Sequence, residues 1–228
     1  MTEVPATGNR DLQALLRLMA WLSPAFPIGS FAYSGGLERA VHDGLVQDAE
    51  SLKDWITALI RRGSAWNDAV LLAEAHGAGE DAVRLADVAE LAEALAGSKE
   101  RHQETMLLGE AFLSAAVAWP HPVFSILPVK TAYPVAVGAV ARAHGIACEE
   151  ALAAFLHALA SQMMSAGIRL GVSGQKDGVA ILAALEDVIA DVAKRAARSS
   201  LDDLGAATVQ ADIASLRHET QGTRLFRS

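Results

Sequence analysis

The stretch "DAESLKDWITALIRR", residues 48–62, places Leu52, Trp55, Ile56, Leu59 and Ile60 at i, i+3, i+4, i+7 and i+8. That spacing lines one face of an α-helix and no face of a strand. Asp48 or Ser51 supplies the N-cap, and the pattern predicts a helix that continues past Gly63 to His76. Similar periodicity runs through "DLQALLRLMAWLS" (11–23), "GEDAVRLADVAELAEALAGS" (79–98) and "SKERHQETMLLGEAFLSAAVAW" (98–119). It returns in "YPVAVGAVARAHG", "CEEALAAFLHALASQMMSAGIRLG", "DGVAILAALEDVIADVAKRAARSS" and "AATVQADIASLRHE". Almost nothing alternates apolar with polar in a β-branched setting, so strands have little support. The chain reads as all-α, a single-domain bundle of roughly eight to ten helices joined by short loops.

The 228 residues suffice for one sizeable core, with residues 1–10 an expected flexible N-terminal arm and 219–228 a tail. Net charge is −8 and no Lys/Arg block tracks a phosphate backbone, which argues against nucleic acid. The N-terminal "MTEVPATGNRDLQ" lacks the apolar stretch of a signal peptide. Prolines cut the most apolar region, 111–143, so no uninterrupted run is expected to reach the ~20 residues that span a bilayer. The single Cys148 forms no internal disulfide, consistent with a reducing, cytoplasmic setting.

Enzyme chemistry is thinly represented. "GVSGQKDG" has glycines without the spacing of a phosphate loop, and no H-E-x-x-H is present. The seven histidines (42, 76, 102, 121, 144, 157, 218) stand singly, as helix-end or surface residues do. Cys148 opens a helix beside Glu149 and Glu150, whose charges oppose thiolate formation. No catalytic residue, metal ligand or cofactor follows from these patterns. The echo between "RHQET" (101–105) and "RHET" (217–220) reads as chance.

Two segments depart from this background. "SPAFPIGSFAYSGGLERA" (23–40) holds two prolines, three glycines, two phenylalanines and a tyrosine. Pro24 and Pro27 extend the chain, Gly29 permits an unusual turn, and Ser30 is placed to cap a helix through Leu37, Ala40 and Val41. Phe26 and Phe31 read from physics alone as core anchors. The second segment is the tail "TQGTRLFRS", with Leu225 and Phe226 between Arg224 and Arg227. It suits either docking onto a partner or folding back on its own body.

Three motifs, "FPIGSFAYSGGLE", "SQMMSAGIRLGVSGQKDG" and "ASLRHETQGTRLFRS", closely resemble the UreF family of urease accessory proteins. The resemblance runs from about residue 12 to the end of the chain. It departs at Gly222-Thr223, where the family often has an aromatic and a serine. The resemblance implies an all-α homodimer, a chaperone without catalytic activity. It also implies a partner of the UreD type (also called UreH), with which the chain would recruit the GTPase UreG to apo-urease for nickel insertion. Carried over by motif, Phe31 and Arg224 are the expected recruiting residues. Tyr33, Ser34, Glu38, Leu225 and Phe226 join them as partner-binding candidates, with Gln175 and Asp177 secondary; Asp177 doubles as an expected helix cap. Regulation of GTP hydrolysis through Arg224, and direct carriage of nickel, remain as alternative roles.

Overall fold

The computed structural model describes residues 6–228. Helix α1 (Ala6–Trp21) opens the chain, followed by a 3-10 turn at Ser30–Ala32 and the short α2 (Leu37–His42). Next come α3 (Ala49–Arg62), α4 (Ser64–Ala78), α5 (Ala82–Ala94), α6 (Lys99–Ala116) and α7 (Val123–Ile126). The second half holds α8 (Tyr133–Ala143), α9 (Cys148–Arg169), α10 (Gln175–Ala184), α11 (Glu186–Ala196) and α12 (Val209–His218). Among the described residues there is no strand, so the all-α reading holds. Of the expected N-terminal arm, residues 1–5 lie outside the described residues, while residues 6–10 are helical.

The core is organised around α8, whose residues from Pro134 through Ala141 are all buried. It packs on α4 and α6, while α9 packs against α11, α10 and α4. Alanine and glycine on α8 let the backbones approach closely: a Cβ on Gly138 would lie 2.3 Å from the Leu72 carbonyl oxygen of α4. An aromatic group seals one end, with Trp21 edge-on to Phe112 and Trp119 at 6.2 and 5.6 Å. Phe26 joins it, 5.7 Å from Phe112, which pins the proline-rich loop to the body.

The caps at α3 agree with the sequence, using both candidates. Asp48 Oδ1 accepts the Ser51 amide at 2.8 Å, and Ser51 Oγ accepts the Asp48 amide at 3.1 Å. The helix does not continue to His76. It stops at Gly63, where a Cβ would meet Leu59 Cα and Thr208 Oγ1, both at 2.8 Å, so the chain crossing there forces a break. The stretch 177–200, which reads as one helix, instead starts at Gln175, bends at Leu185 and ends at Ala196. The Leu185 amide splits between Ile181 O and Leu182 O while its side chain is buried. The connector "PHPVFSILP" contains the single turn α7.

The expected absence of a membrane-length run needs correction. At 22 residues, α9 is long and apolar enough to cross a bilayer by length and composition. Here its apolar face is spent on α11, α10 and α4.

Candidate functional site

Left-handed glycines shape the loop that follows α1. Gly29, at φ 74°, precedes the 3-10 turn, and Gly36, at φ 81°, precedes α2. A side chain on Gly36 would be strained by that φ and would meet the Ser215 backbone of α12 at 2.9 Å. Ser30 therefore does not cap a helix through Val41. The backbone turns at Gly35-Gly36, and α2 starts afresh at Leu37.

Phe31 sits on the 3-10 turn and is 72% exposed. It is not a core anchor, unlike Phe26. Two side chains of α9 fix the turn by its backbone. Arg169 Nη1 donates to the Phe31 carbonyl at 2.6 Å, and Gln162 Nε2 donates to the Tyr33 carbonyl at 3.1 Å.

The tail folds back onto this same loop. The Arg227 amide donates to Ala32 O at 2.8 Å, and the Ser34 amide donates to Ser228 O at 3.0 Å. Ser34 Oγ also donates to Ser228 O, and the Gly35 amide donates to Ser228 Oγ at 3.2 Å. Phe226 is buried beneath Arg169, whose guanidinium carbon lies 4.2 Å from the ring centre.

Below the tail lies a layer of buried charge. Glu38 of α2 accepts the amides of Leu225 at 2.7 Å and Phe226 at 2.9 Å. His218, ending α12, stands between Glu38 at 3.1 Å and Glu100 of α6 at 2.6 Å. The other Glu100 oxygen accepts Arg224 Nη1 at 2.5 Å. Deeper still, Ser228 Oγ donates to Glu104 at 3.0 Å, and Arg101 bridges Glu104 and Asp68. Burial pushes the carboxyls of Asp68 and Glu104 up despite the guanidinium they share. For Glu38 burial also acts upward, but the Leu225 and Phe226 amides and the His218 ring outweigh it and hold the carboxyl below its ordinary value.

A group depressed in the folded state contributes stability above its unfolded pKa, and that contribution fades as pH falls through the folded value. The melting temperature of wild type should therefore exceed that of Glu38→Gln at neutral pH. The gap should close once the solution is taken well below the ordinary glutamate value of 4.5. A gap that persists undiminished into acid would contradict the ionised role.

Four of the expected partner-binding residues are thus turned inward. Tyr33, Ser34, Glu38 and Phe226 are buried; Ser34 and Glu38 bond the tail, and Phe226 is the tail's own buried ring. Phe31, Leu225 and the partly exposed Arg224 remain at the surface. Gln175 and Asp177 are exposed at the start of α10, and no hydrogen bond among the described residues joins them to loop or tail. Asp177 is not the cap, because Gly174 holds that position and Asp177 falls inside the first turn.

Sequence reasoning missed His218, Glu100, Arg169 and Gln162. Each stands alone in its local sequence, and only the fold gathers them. Arg169 lies inside the motif "SAGIRLG", which marks it without indicating its contacts.

A second feature adjoins Phe31. Leu12, Leu15, Leu16 and Met19 form an exposed apolar face on α1. Between α1, the loop and α9 lies a cleft of about 830 Å³, lined among others by Leu15, Met19, Phe31, Ala154 and Arg169. Among the described residues no group of three or more His, Cys, Asp or Glu side chains is arranged to hold a metal ion. Burial, reinforced by Glu149, pushes the Cys148 thiol up to about 11, so at neutral pH it is protonated and a poor nucleophile.

Fold and site together define a helical scaffold that seats its own tail beside an exposed aromatic. A UreF family profile matches residues 46–186. The chain is 75% identical over 222 residues to the urease accessory protein UreF of Rhizobium johnstonii, covering 97% of this chain and all of that one. It is 65% identical over 222 residues to the UreF of Agrobacterium fabrum, with the same coverage. With the UreF of Brucella ovis it shares 59% identity over 228 residues, the full length of both. The chain belongs to the UreF family of urease accessory proteins.

Proposed function

We propose that this protein is a non-catalytic, cytoplasmic chaperone of urease maturation. Acting with a UreD-type accessory protein, it recruits the GTPase UreG to apo-urease so that nickel can be inserted. The observation that carries this reading is Phe31, a large aromatic 72% exposed on a turn whose backbone is fixed from below. A rigid exposed aromatic resembles the anchors that dominate protein interfaces. Leu225 and Arg224, held on the same side of the bundle by the clasped tail, extend the surface. Gln175 and Asp177 are its secondary candidates.

The protein is proposed to act as a homodimer, with the apolar face of α1 and the cleft against α9 covered by a second copy. Four large exposed apolar residues on one helix of a single chain favour that arrangement. Light scattering should then give twice 23.9 kDa, and Leu15→Glu with Met19→Glu should return the mass to one chain. A monomeric wild type would remove this element.

Co-purification tests the recruiting role. Full-length protein mixed with the UreD-type partner, UreG, GTP and nickel should yield a ternary assembly that raises urease activity. Retention of UreG with Phe31→Ala at wild-type level would reject the surface. The alternative of an arginine finger is less favoured, because Arg224 is committed to Glu100 at 2.5 Å. Arg224→Lys separates the two: weaker capture with unchanged hydrolysis rate supports recruitment, and lost hydrolysis with intact capture supports the finger.

A further inference from the structure

The cleft beside Phe31 and the clasp that seats the tail share their walls. Gln162 and Arg169, at i and i+7, stand on the face of α9 that lines the cleft. Gln162 holds the Tyr33 carbonyl at 3.1 Å, and Arg169 holds the Phe31 carbonyl at 2.6 Å. The Arg169 guanidinium also covers the Phe226 ring at 4.2 Å, so one side chain of α9 touches both loop and tail. Arg169 is nevertheless exposed, and among the described residues it forms no ion pair. The buried Glu104 lines the same cleft and accepts Ser228 Oγ of the tail at 3.0 Å.

We propose that Arg169 is a positioning residue that couples the cleft to the clasp, so that pairing with a second copy and seating of the tail strengthen each other. The second copy is the occupant proposed above for this face. The sign of the coupling follows from desolvation. A surface laid over the cleft takes water away from the guanidinium, and an unpaired cation resists that strongly. With the tail seated, the Phe31 carbonyl and the Phe226 ring replace part of the lost hydration, and a cation–ring contact gains strength as water leaves. With the tail released, the ring is gone and the same cation must be covered with one partner fewer. Pairing therefore favours the seated tail. Linkage requires the converse by an equal factor: the seated tail favours pairing.

Hydrogen exchange at the amides of Leu225, Phe226 and Arg227 tests this in the full-length protein, above and below the dissociation constant that light scattering gives for the dimer. Wild-type protection should be about fivefold or more higher in the dimer, the lower end of ordinary coupling between sites. Leu15→Glu with Met19→Glu should show the lower value at every concentration. Arg169→Ala should lower protection and make it equal in monomer and dimer. Should that variant not pair, Arg169→Lys serves: an ammonium lacks the planar fork that holds the carbonyl and covers the ring together, so the concentration dependence should shrink. A merely structural Arg169 would lower protection in both states and leave the fivefold difference in place. That result, or wild-type protection that does not change on pairing, would overturn the coupling and leave the homodimer standing. A wild type that stays monomeric throughout would remove the homodimer and the coupling with it.

Discussion

Gly138→Ala lowers the melting temperature by roughly 6–12 °C, the shift expected for about 3 kcal/mol in a chain of this size. The added Cβ would lie 2.3 Å from Leu72 O and 3.1 Å from Leu72 C, both backbone atoms of α4. No rotamer change relieves such a contact, so α4 and α8 must separate at the centre of the core. Gly77→Ala is the control. It lies on an exposed part of α4 where a Cβ meets nothing nearer than the Arg84 guanidinium at 4.0 Å. Better helix propensity there should leave stability unchanged or raised by up to about 1 kcal/mol. Equal melts for the two variants would mean that the helices are not packed backbone to backbone.

Phe31→Ala is the second large effect, on binding and not on folding. With 72% of the residue already in water, its truncation should change stability by less than about 0.5 kcal/mol. As an interface anchor it should weaken UreG capture by about 2 kcal/mol or more, roughly thirtyfold. Leu225→Ala should act in the same direction and more weakly. Removing residues 224–228 is a poorer probe than the sequence implies. Deletion strips the donors from Glu38 and Glu100 and uncovers the Phe226 site, so folding suffers as well. The expected loss is about 2–4 kcal/mol, because buried charges are left without partners. A lost capture in that variant carries information only beside an intact melt in Phe31→Ala.

Local chemistry was legible in the sequence where it acts locally. The capping pair Asp48 and Ser51 and the helical stripe from Leu52 to Ile60 both operate within a few residues. The breaks at Gly63 and Leu185 were not legible, since Thr208 lies far along the chain from Gly63 and the Leu185 bend follows from burial. The glycine-rich loop was recognisable, yet the facing of its side chains was not. Tyr33, Ser34 and Glu38 share a motif with Phe31 but point the other way, and periodicity does not define facing in so glycine-rich a stretch. His218 was the hardest case: its carboxylates lie 118 and 180 residues away. The echo of "RHQET" with "RHET" gave no sign of it: His102, at the matching place, faces Glu93 at 3.0 Å and lies outside the buried polar layer in which His218 meets Glu100.

That layer is what turns a loose chain end into part of a surface, and trypsin reads it directly. The Arg224–Leu225 bond is cleavable only when residues 224–226 leave Glu38 and Glu100. In the isolated full-length protein, intact-mass spectrometry should show this bond resisting digestion as long as the helical body does, while Glu38→Gln is cut there early with its body intact. Rapid loss of Leu225–Ser228 from wild type, with the helices untouched, would show that the tail is not clasped and would contradict the account.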